Sequence, residues 1–489
     1  MNNESADVTT QKPKRIHDQV PSELFSNFMK SGWTPSDLSN IEPLEVVTYA
    51  FSRRQVLSAA FKGIRLVLPA GGYKVRANDT DYNYRPHSAF VYYSGVQGAD
   101  ATADAVLVLE PSGDSHITYL YMNPRSTRDT DAFYRDAKYG ELWVGRRFTL
   151  DEAKARYQID TLQLTDLEAL LGDGKETLTL RSVDPAVDPK VKKHDREEEF
   201  ATFVSEQRLC KDEYEIREMQ AAVDATALGF NDVIHAMPAA VETPRGERVL
   251  DAAFYGRARI LGNDLGYNTI VGAGSHACVL HWIRNDGDGH RGELVLIDAG
   301  VEVESFYTAD ITRTLPVDGK FSPAQRALYM LVYESQLAGF AAIKPGAVFS
   351  DINTACQAVL AKGLADMGVL TVSAEESEFL LKQRMNEQNK QTLSNPETKA
   401  LSITLDREVN LPMGSVIGSM NHMGNGFLVQ DCDFGMNRSR GILIKASNGK
   451  IIGNKTTGNW GHGIQIAPEW WWLESGSSND VEIRDNIIK

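Results

Sequence analysis

Two aspartates, Asp298 and Asp310, stand inside runs that otherwise read as strands, ELVLIDAG at 293–300 and TADITRT at 308–314. Side chains alternate faces along a strand, so Leu294, Leu296 and Asp298 share one face of the first run and Thr308, Asp310 and Thr312 one face of the second. With Gly300 to Ser305 as a hairpin loop, an antiparallel fold-back brings both carboxylates into one neighbourhood. Like charges at that range require a proton or a cation between them, and a hard divalent metal is the natural occupant. The plainer alternative is a pair of strand ends. Asp before Ala-Gly commonly closes a strand, and Asp310 reads equally as a satisfied polar residue on a solvated edge. Two carboxylates alone are a weak motif.

The elements that would carry this pair emerge from periodicity. Upstream of it, DEYEIREMQAAVDATALGFNDVIHAM has apolar positions at helical spacing, Ile216, Met219, Val223 and Leu228, and predicts a long amphipathic helix closed by Pro238 and by Thr243-Pro244. VLDAAFYGRARILGND predicts a second helix and TIVGAG a strand. Downstream come SPAQRALYMLVYESQLAGFAAI, with Ser322 as cap and Pro323 in the first turn, and FSDINTACQAVLAKGLADMG. These describe an α+β domain with helices on a mixed or antiparallel sheet. Nearer the start, PSELFSNFM, Val46 to Phe61 and TLDEAKARY read as helices, and IRLVLPAG, SAFVYYSG, DAVLVLEPSG and HITYLYMN as strands, giving an α/β domain that ends near residue 195. The charge run DPKVKKHDREEEF is the clearest linker signal. From about Ala374 a polar helical stretch gives way to short Gly-rich strands. GILI at 441–444 and GIQI at 463–466 lie 22 residues apart, a rung period that predicts a parallel β-helix, with an ordinary β-meander as the alternative.

Charge and composition exclude several classes. The 66 acidic residues outnumber 51 basic ones, a net charge of -15 over 489 residues, and the short KPKR near the start is the strongest basic cluster. Nucleic acid and anionic membranes are therefore not expected partners. No apolar run reaches the roughly 18 residues of a membrane helix, and the first 20 residues, polar and without a signal-peptide core, are expected to form a disordered leader on a cytoplasmic protein. Cys210, Cys278, Cys356 and Cys432 lack CxxC spacing and are expected to be small buried residues in a reducing compartment.

Residues 15 to about 373 resemble the aminopeptidase P (Xaa-Pro aminopeptidase) branch of the pita-bread metallopeptidases. The motifs are NDTDYNYRPHSAF at 78–90, FYRDAKYGELWVGRR at 133–147, GYNTIVGAGSHACVLHW at 266–282, RND at 284–286 and ELVLIDAGVEVESFYTADITRTLPVDGKFSP at 293–323. The resemblance implies a creatinase-like N-terminal domain over 21–195 and a pita-bread domain over 206–373. It also implies proline-containing peptides as substrates, two divalent cations such as Mn(II) per site, and a bridging hydroxide that attacks the bond before proline. On it, Asp298 and Asp310 match two metal ligands. His281 matches the histidine beside the metals that assists substrate binding or proton transfer, and His276 is a second substrate-binding candidate. The family has five ligands. The remaining histidine and two glutamates should follow Met367, and neither His422 nor His462 has the family's flanks, so the domain reads as truncated and metal binding is expected to be weak.

Residues 376–489 resemble a C-terminal fragment of the β-helix α-1,3-galactosidase type of glycoside hydrolase. That resemblance implies a carbohydrate partner, with Trp470, Trp471 and Trp472 as sugar-stacking candidates against a packing role, and Asp431, Asp433, Glu469 and Glu474 as available carboxyl groups. The fold expected is therefore multi-domain: an α/β creatinase-like domain, a truncated α+β pita-bread domain and a parallel β-helix fragment, with a possible homo-oligomer and a chimera of two truncated enzymes among the readings.

Overall fold

One interior strand of the N-terminal sheet, Arg65–Pro69, is buried at every position because both of its faces are covered. Leu66 and Leu68 enter one core with Phe61, Phe90, Tyr93 and Phe200. Val67 faces a second core with Val108, Leu171 and Val187. The five strands run in the order Asp160–Gln163, Ser115–Met122, Val106–Ser112, Arg65–Pro69, Thr177–Thr179, mixing antiparallel and parallel pairs. Arg65 is fully buried and compensated on two sides, its Nε 2.5 Å from Glu110 Oε2 and its Nη2 2.6 Å from Asp173 Oδ2. The computed structural model describes residues 21–34, 38–78, 80–369, 426–435, 442–444, 446–458, 463–466 and 480–488. It divides into two units, 1–382 and 383–489.

Three expectations for this region are corrected. SAFVYYSG is a helix, Ser88–Ser94, started at His87, whose side chain accepts from the Ala89 amide, and ended by Gly95 in the left-handed conformation. All but the first of its residues are buried. An apolar run covered on nearly all sides has no stripe to betray its period, so its aromatic and branched residues read as strand. The charge run is no open linker. From Glu197 it is a helix, Glu197–Glu206, whose charges face outward while Phe200 and Val204 pack into the N-terminal core, Phe200 edge-on to Phe61. The cysteines are not buried: Cys210, Cys278 and Cys432 are exposed and Cys356 is half-buried.

The following domain is built on a three-stranded antiparallel sheet in the order Ile311–Pro316, Leu294–Ala299, Ile270–Ala273. Alternation works as expected in the middle strand. Val295, Ile297 and Ala299 are buried while Leu294, Leu296 and Asp298 are partly open. The buried face meets two helices, Glu213–Glu242 and Gly246–Leu261, through Phe230, Val233, Leu250 and Phe254. The longer helix begins with a capping box between Asp212 and Glu215, and Pro238 lies within its last turns rather than closing it. Its predicted stripe is reversed. Ile216, Met219, Val223 and Leu228 are exposed, and the buried side is Ala222, Ala225, Thr226, Gly229, Phe230 and Val233. Small residues on that side let the second helix approach, and a Cβ at Gly229 would lie 2.6 Å from the Phe254 ring. Pro323–Ala342 and Phe349–Asp366 form a second helix pair, the first opened by a Ser322–Gln325 capping box. No helix among the described residues is long and apolar enough to cross a membrane.

In the second unit the described strands form three parallel ladders. Leu428–Gln430 pairs with Lys450–Ile452 and that with Glu482–Arg484; Asp433–Gly435 pairs with Lys455–Thr457 and that with Ile487–Ile488; Ile442–Ile444 pairs with Ile464–Ile466. Ile442, Ile444 and Ile451 form a small core. Fully buried Asn454 holds one corner: its Oδ1 accepts from the Cys432 amide at 3.0 Å, and its Nδ2 donates to Asn486 Oδ1 at 2.9 Å. The polar helical stretch after Ala374, His422, His462, Glu469, Glu474 and Trp470 to Trp472 lie outside the described residues.

Candidate active site

Asp298 is the last residue but one of the middle strand and Asp310 immediately precedes the edge strand, with Asp298 opposite Thr312 and Ala299 opposite Ile311 in the register. The antiparallel pairing therefore delivers both carboxylates to the same end of the sheet as expected, but Asp310 stands just outside the strand that begins at Ile311, so pairing and not alternation places it. The connection between them is more elaborate than a Gly300 to Ser305 loop. Val301–Glu302 is itself a strand, paired with Asp264–Leu265, and Glu302 bridges back to Thr308, so the turn proper spans Val303 to Tyr307. Gly300 is required here, because a Cβ would collide with the Ala309 carbonyl oxygen.

One phenol joins the two acids. Tyr267 Oη donates to Asp298 Oδ1 and lies 3.0 Å from Asp310 Oδ1. Thr312 Oγ1 donates to Asp298 Oδ2 at 2.7 Å. Burial raises the Tyr267 phenol far above its ordinary range, and its hydrogen bonds to Asp298 and Asp310 and their charges push the same way. It stays protonated at any physiological pH and acts as a donor between two acceptors. Nothing in the residue types near 267 marks this tyrosine; only the fold brings it under the aspartates.

The loop carrying both candidate histidines is organised by a second residue that sequence reasoning missed. Glu247, in the first turn of the Gly246–Leu261 helix, is 1 % exposed. Its Oε1 accepts from the Ala273 amide at 2.9 Å and lies 2.8 Å from His276 Nδ1; its Oε2 accepts from Trp282 Nε1 at 2.8 Å and the Gly287 amide at 2.7 Å. Its two oxygens thus have four partners, which is what a buried carboxylate requires. His276 is placed in this network and stacks on Trp282 with ring centroids 3.9 Å apart. His281 is exposed, and its carbonyl accepts from the Ile283 amide at 2.9 Å. Among the described residues neither histidine hydrogen-bonds to Asp298 or Asp310.

Comparisons with known proteins place this arrangement. The model for metallopeptidase family M24 matches residues 217–388, and that for the aminopeptidase P N-terminal domain matches 50–179. Xaa-Pro aminopeptidase 1 of Streptomyces coelicolor is 43 % identical over 372 residues, 75 % of this chain and 74 % of the relative. The chain belongs to the aminopeptidase P family of M24 metallopeptidases. The Escherichia coli family member is 29 % identical over 346 residues. In structure, a substrate complex of an Escherichia coli aminopeptidase P variant matches with a TM-score of 0.59 at 28 % identity, over 72 % of this chain and 79 % of the other. Pseudomonas aeruginosa aminopeptidase PepP matches with a TM-score of 0.57 at 26 % identity, over 71 % and 78 %. The creatinase-like domain and the pita-bread domain expected from the sequence are thereby supported.

Aminopeptidase P family membership implies divalent metal, so the donor set must be compared with that need. At the aspartate pair it consists of two carboxylates, one already accepting from both Tyr267 and Thr312, and a protonated phenol. Among the described residues no group of three or more His, Cys, Asp or Glu side chains comes together to hold an ion. The described residues therefore offer two carboxylates toward such an ion, and no third charged donor beside them.

Proposed function

We propose that this chain acts on Xaa-Pro peptides as a metal-dependent aminopeptidase by descent, with Asp298 and Asp310 as its metal-facing carboxylates and His281 and His276 on the substrate side. In this reading the N-terminal domain spans 21–195 and the pita-bread domain 206–373. The observation that carries it is the convergence of the two aspartates at one end of the sheet in a chain of this family. The same geometry sets the expected strength of metal binding. Two monodentate carboxylates leave a hard cation mostly hydrated, so Mn(II) is expected to bind with a Kd on the order of 1 mM, and turnover is expected to be slow. A cytoplasmic location belongs to this reading, supported by four free cysteines.

The test is hydrolysis of Ala-Pro-type peptides across a Mn(II) titration, with calorimetry of the same titration. Slow, Mn(II)-dependent release of the first residue, lost in Asp298→Asn, is the expected result. Absence of turnover at every Mn(II) concentration overturns the activity, and tight, micromolar binding overturns the account of a two-carboxylate site.

For the described strands between Leu428 and Ile488 a parallel β-helix is the architecture supported best, because ladders between strands in corresponding positions and a buried asparagine at a corner are how stacked rungs satisfy their backbones. A carbohydrate partner of the galactosidase type for this unit rests on the Trp470 to Trp472 run alone. Binding of α-galactosides by the full chain, lost when all three tryptophans become alanine, is the supporting result.

A further inference from the structure

The turn that delivers Asp310 is not held by its own domain alone. Its tip residue, Phe306, is 6 % exposed and sits in the hydrophobic core of the N-terminal domain, with Phe90, Tyr93 and Val96 among that core's members. Phe306 adopts φ 65°, a left-handed backbone that a bulky side chain rarely takes. Arg85 of the N-terminal domain clasps the same turn. Its Nε donates to Glu302 Oε2 at 2.6 Å, its Nη2 donates to the Phe306 carbonyl at 3.3 Å, and its guanidinium lies 5.6 Å from the Phe306 ring centre. Glu302, 4 % exposed, takes its other hydrogen bond from Asn263 Nδ2 at 3.0 Å. From the other flank Tyr307 Oη donates to buried Glu215 at 2.7 Å, and Ser305 Oγ to Glu218. Asp310 follows Tyr307 by only three residues, and between them Ala309 donates its amide to the Val301 carbonyl.

We infer that the N-terminal domain is the positioning element for the Asp310 carboxylate, acting through Phe306 as a plug and Arg85 as a clasp. Neither residue touches the aspartate pair. Each fixes the turn whose C-terminal end sets where Asp310 meets Tyr267. A two-residue tight hairpin would have needed no such help; a turn with a left-handed aromatic at its tip keeps its shape only while the socket holds that aromatic. The inference rests on the aminopeptidase reading only in treating Asp310 as a working part of the site.

The test places 3-fluorotyrosine at position 267 of the full chain and follows its fluorine resonance together with amide exchange along 294–310. Arg85 is 41 % exposed as a side chain, so Arg85→Met is expected to fold. In Arg85→Met and Phe306→Ala the fluorine resonance is expected to shift and broaden as the hydrogen bond to Asp310 becomes intermittent. Exchange at Ala309, whose amide is bonded to the Val301 carbonyl, should rise by about tenfold or more through local opening, while Val295 to Ala299 keep their protection. Arg85→Lys, which retains the charge, should restore much of the parent spectrum. An unchanged fluorine resonance with unchanged exchange at Ala309, even where the melting midpoint falls, shows that the contacts merely stabilise the domain interface and overturns the inference. Should Phe306→Ala fail to fold, the two Arg85 variants decide it. Both readouts need neither turnover nor metal, so a parent chain that cleaves no peptide overturns the aminopeptidase reading and leaves this result standing.

Discussion

The pita-bread domain contains two helix pairs that differ in what they cover. Glu213–Glu242 and Gly246–Leu261 lay Phe230, Val233, Leu250 and Phe254 onto Val271, Val295 and Ile297 of the sheet. Pro323–Ala342 and Phe349–Asp366 pack on each other through Leu331, Gly339, Cys356, Ala361 and Gly363, yet among the described residues of the first helix only Leu331, Ser335 and Gly339 are buried. Leu328, Val332, Tyr333, Leu337 and Phe340 stay exposed. Each pair has one helix opened by a capping box, Glu213–Glu242 in the first and Pro323–Ala342 in the second, so local rules do not separate them. The difference lies in the sheet: a helix buries its stripe only where strands offer a complementary face, and the described strands offer theirs to the first pair. Asp298 and Asp310 belong to the part served by the first pair.

That contrast can be broken by mutation. The largest effect is expected at Phe254, fully buried and edge-on to Phe230 with ring centres 5.8 Å apart. Phe254→Ala should destabilise the domain by ~3–5 kcal/mol in denaturant unfolding. A loss under half of that would mean the first pair is not the core described here. Next comes Glu247→Ala, which strands the buried Ala273 amide, the half-buried Gly287 amide and the Trp282 indole; a cost of about 2–3 kcal/mol is expected, accompanied by a change in Trp282 fluorescence. Stability and spectrum both equal to the parent would show that this network holds nothing. The smallest effect is expected on the second pair. Phe340→Ser, at a site 61 % exposed, should move stability by no more than ~0.5 kcal/mol. A penalty approaching that at Phe254 would show that this face is covered, and would erase the distinction between the pairs.

The same physics explains which readings of the sequence held. Strand alternation placed Asp298 away from Val295 and Ile297, and the antiparallel pairing brought Asp310 beside it, because a period of two leaves no freedom once one face is buried. The capping signal at Ser322 was equally legible, being a local hydrogen bond. The long helix was found, but its buried side was not. It is apolar on two sides, and the periodic large residues Ile216, Met219 and Val223 outshone the small ones that make close packing possible. SAFVYYSG failed for a related reason, since burial on nearly all sides removes the pattern that distinguishes helix from strand. Tyr267 and Glu247 could not be read at all. Each acts through partners separated from it by tens of residues, and neither residue type is unusual where it stands.

By itself, then, the sequence determined the strand pair, the two aspartates at one end of it, the Ser322 cap and the family, since these rest on local periodicity or on dense motifs. Tertiary structure decided the rest: which face of the long helix is buried, the phenol between the carboxylates, the four-partner glutamate under the histidine loop, and the socket that grips Phe306. Those features come from side chains meeting across the fold, and their energies depend on burial and on partners that no stretch of sequence contains.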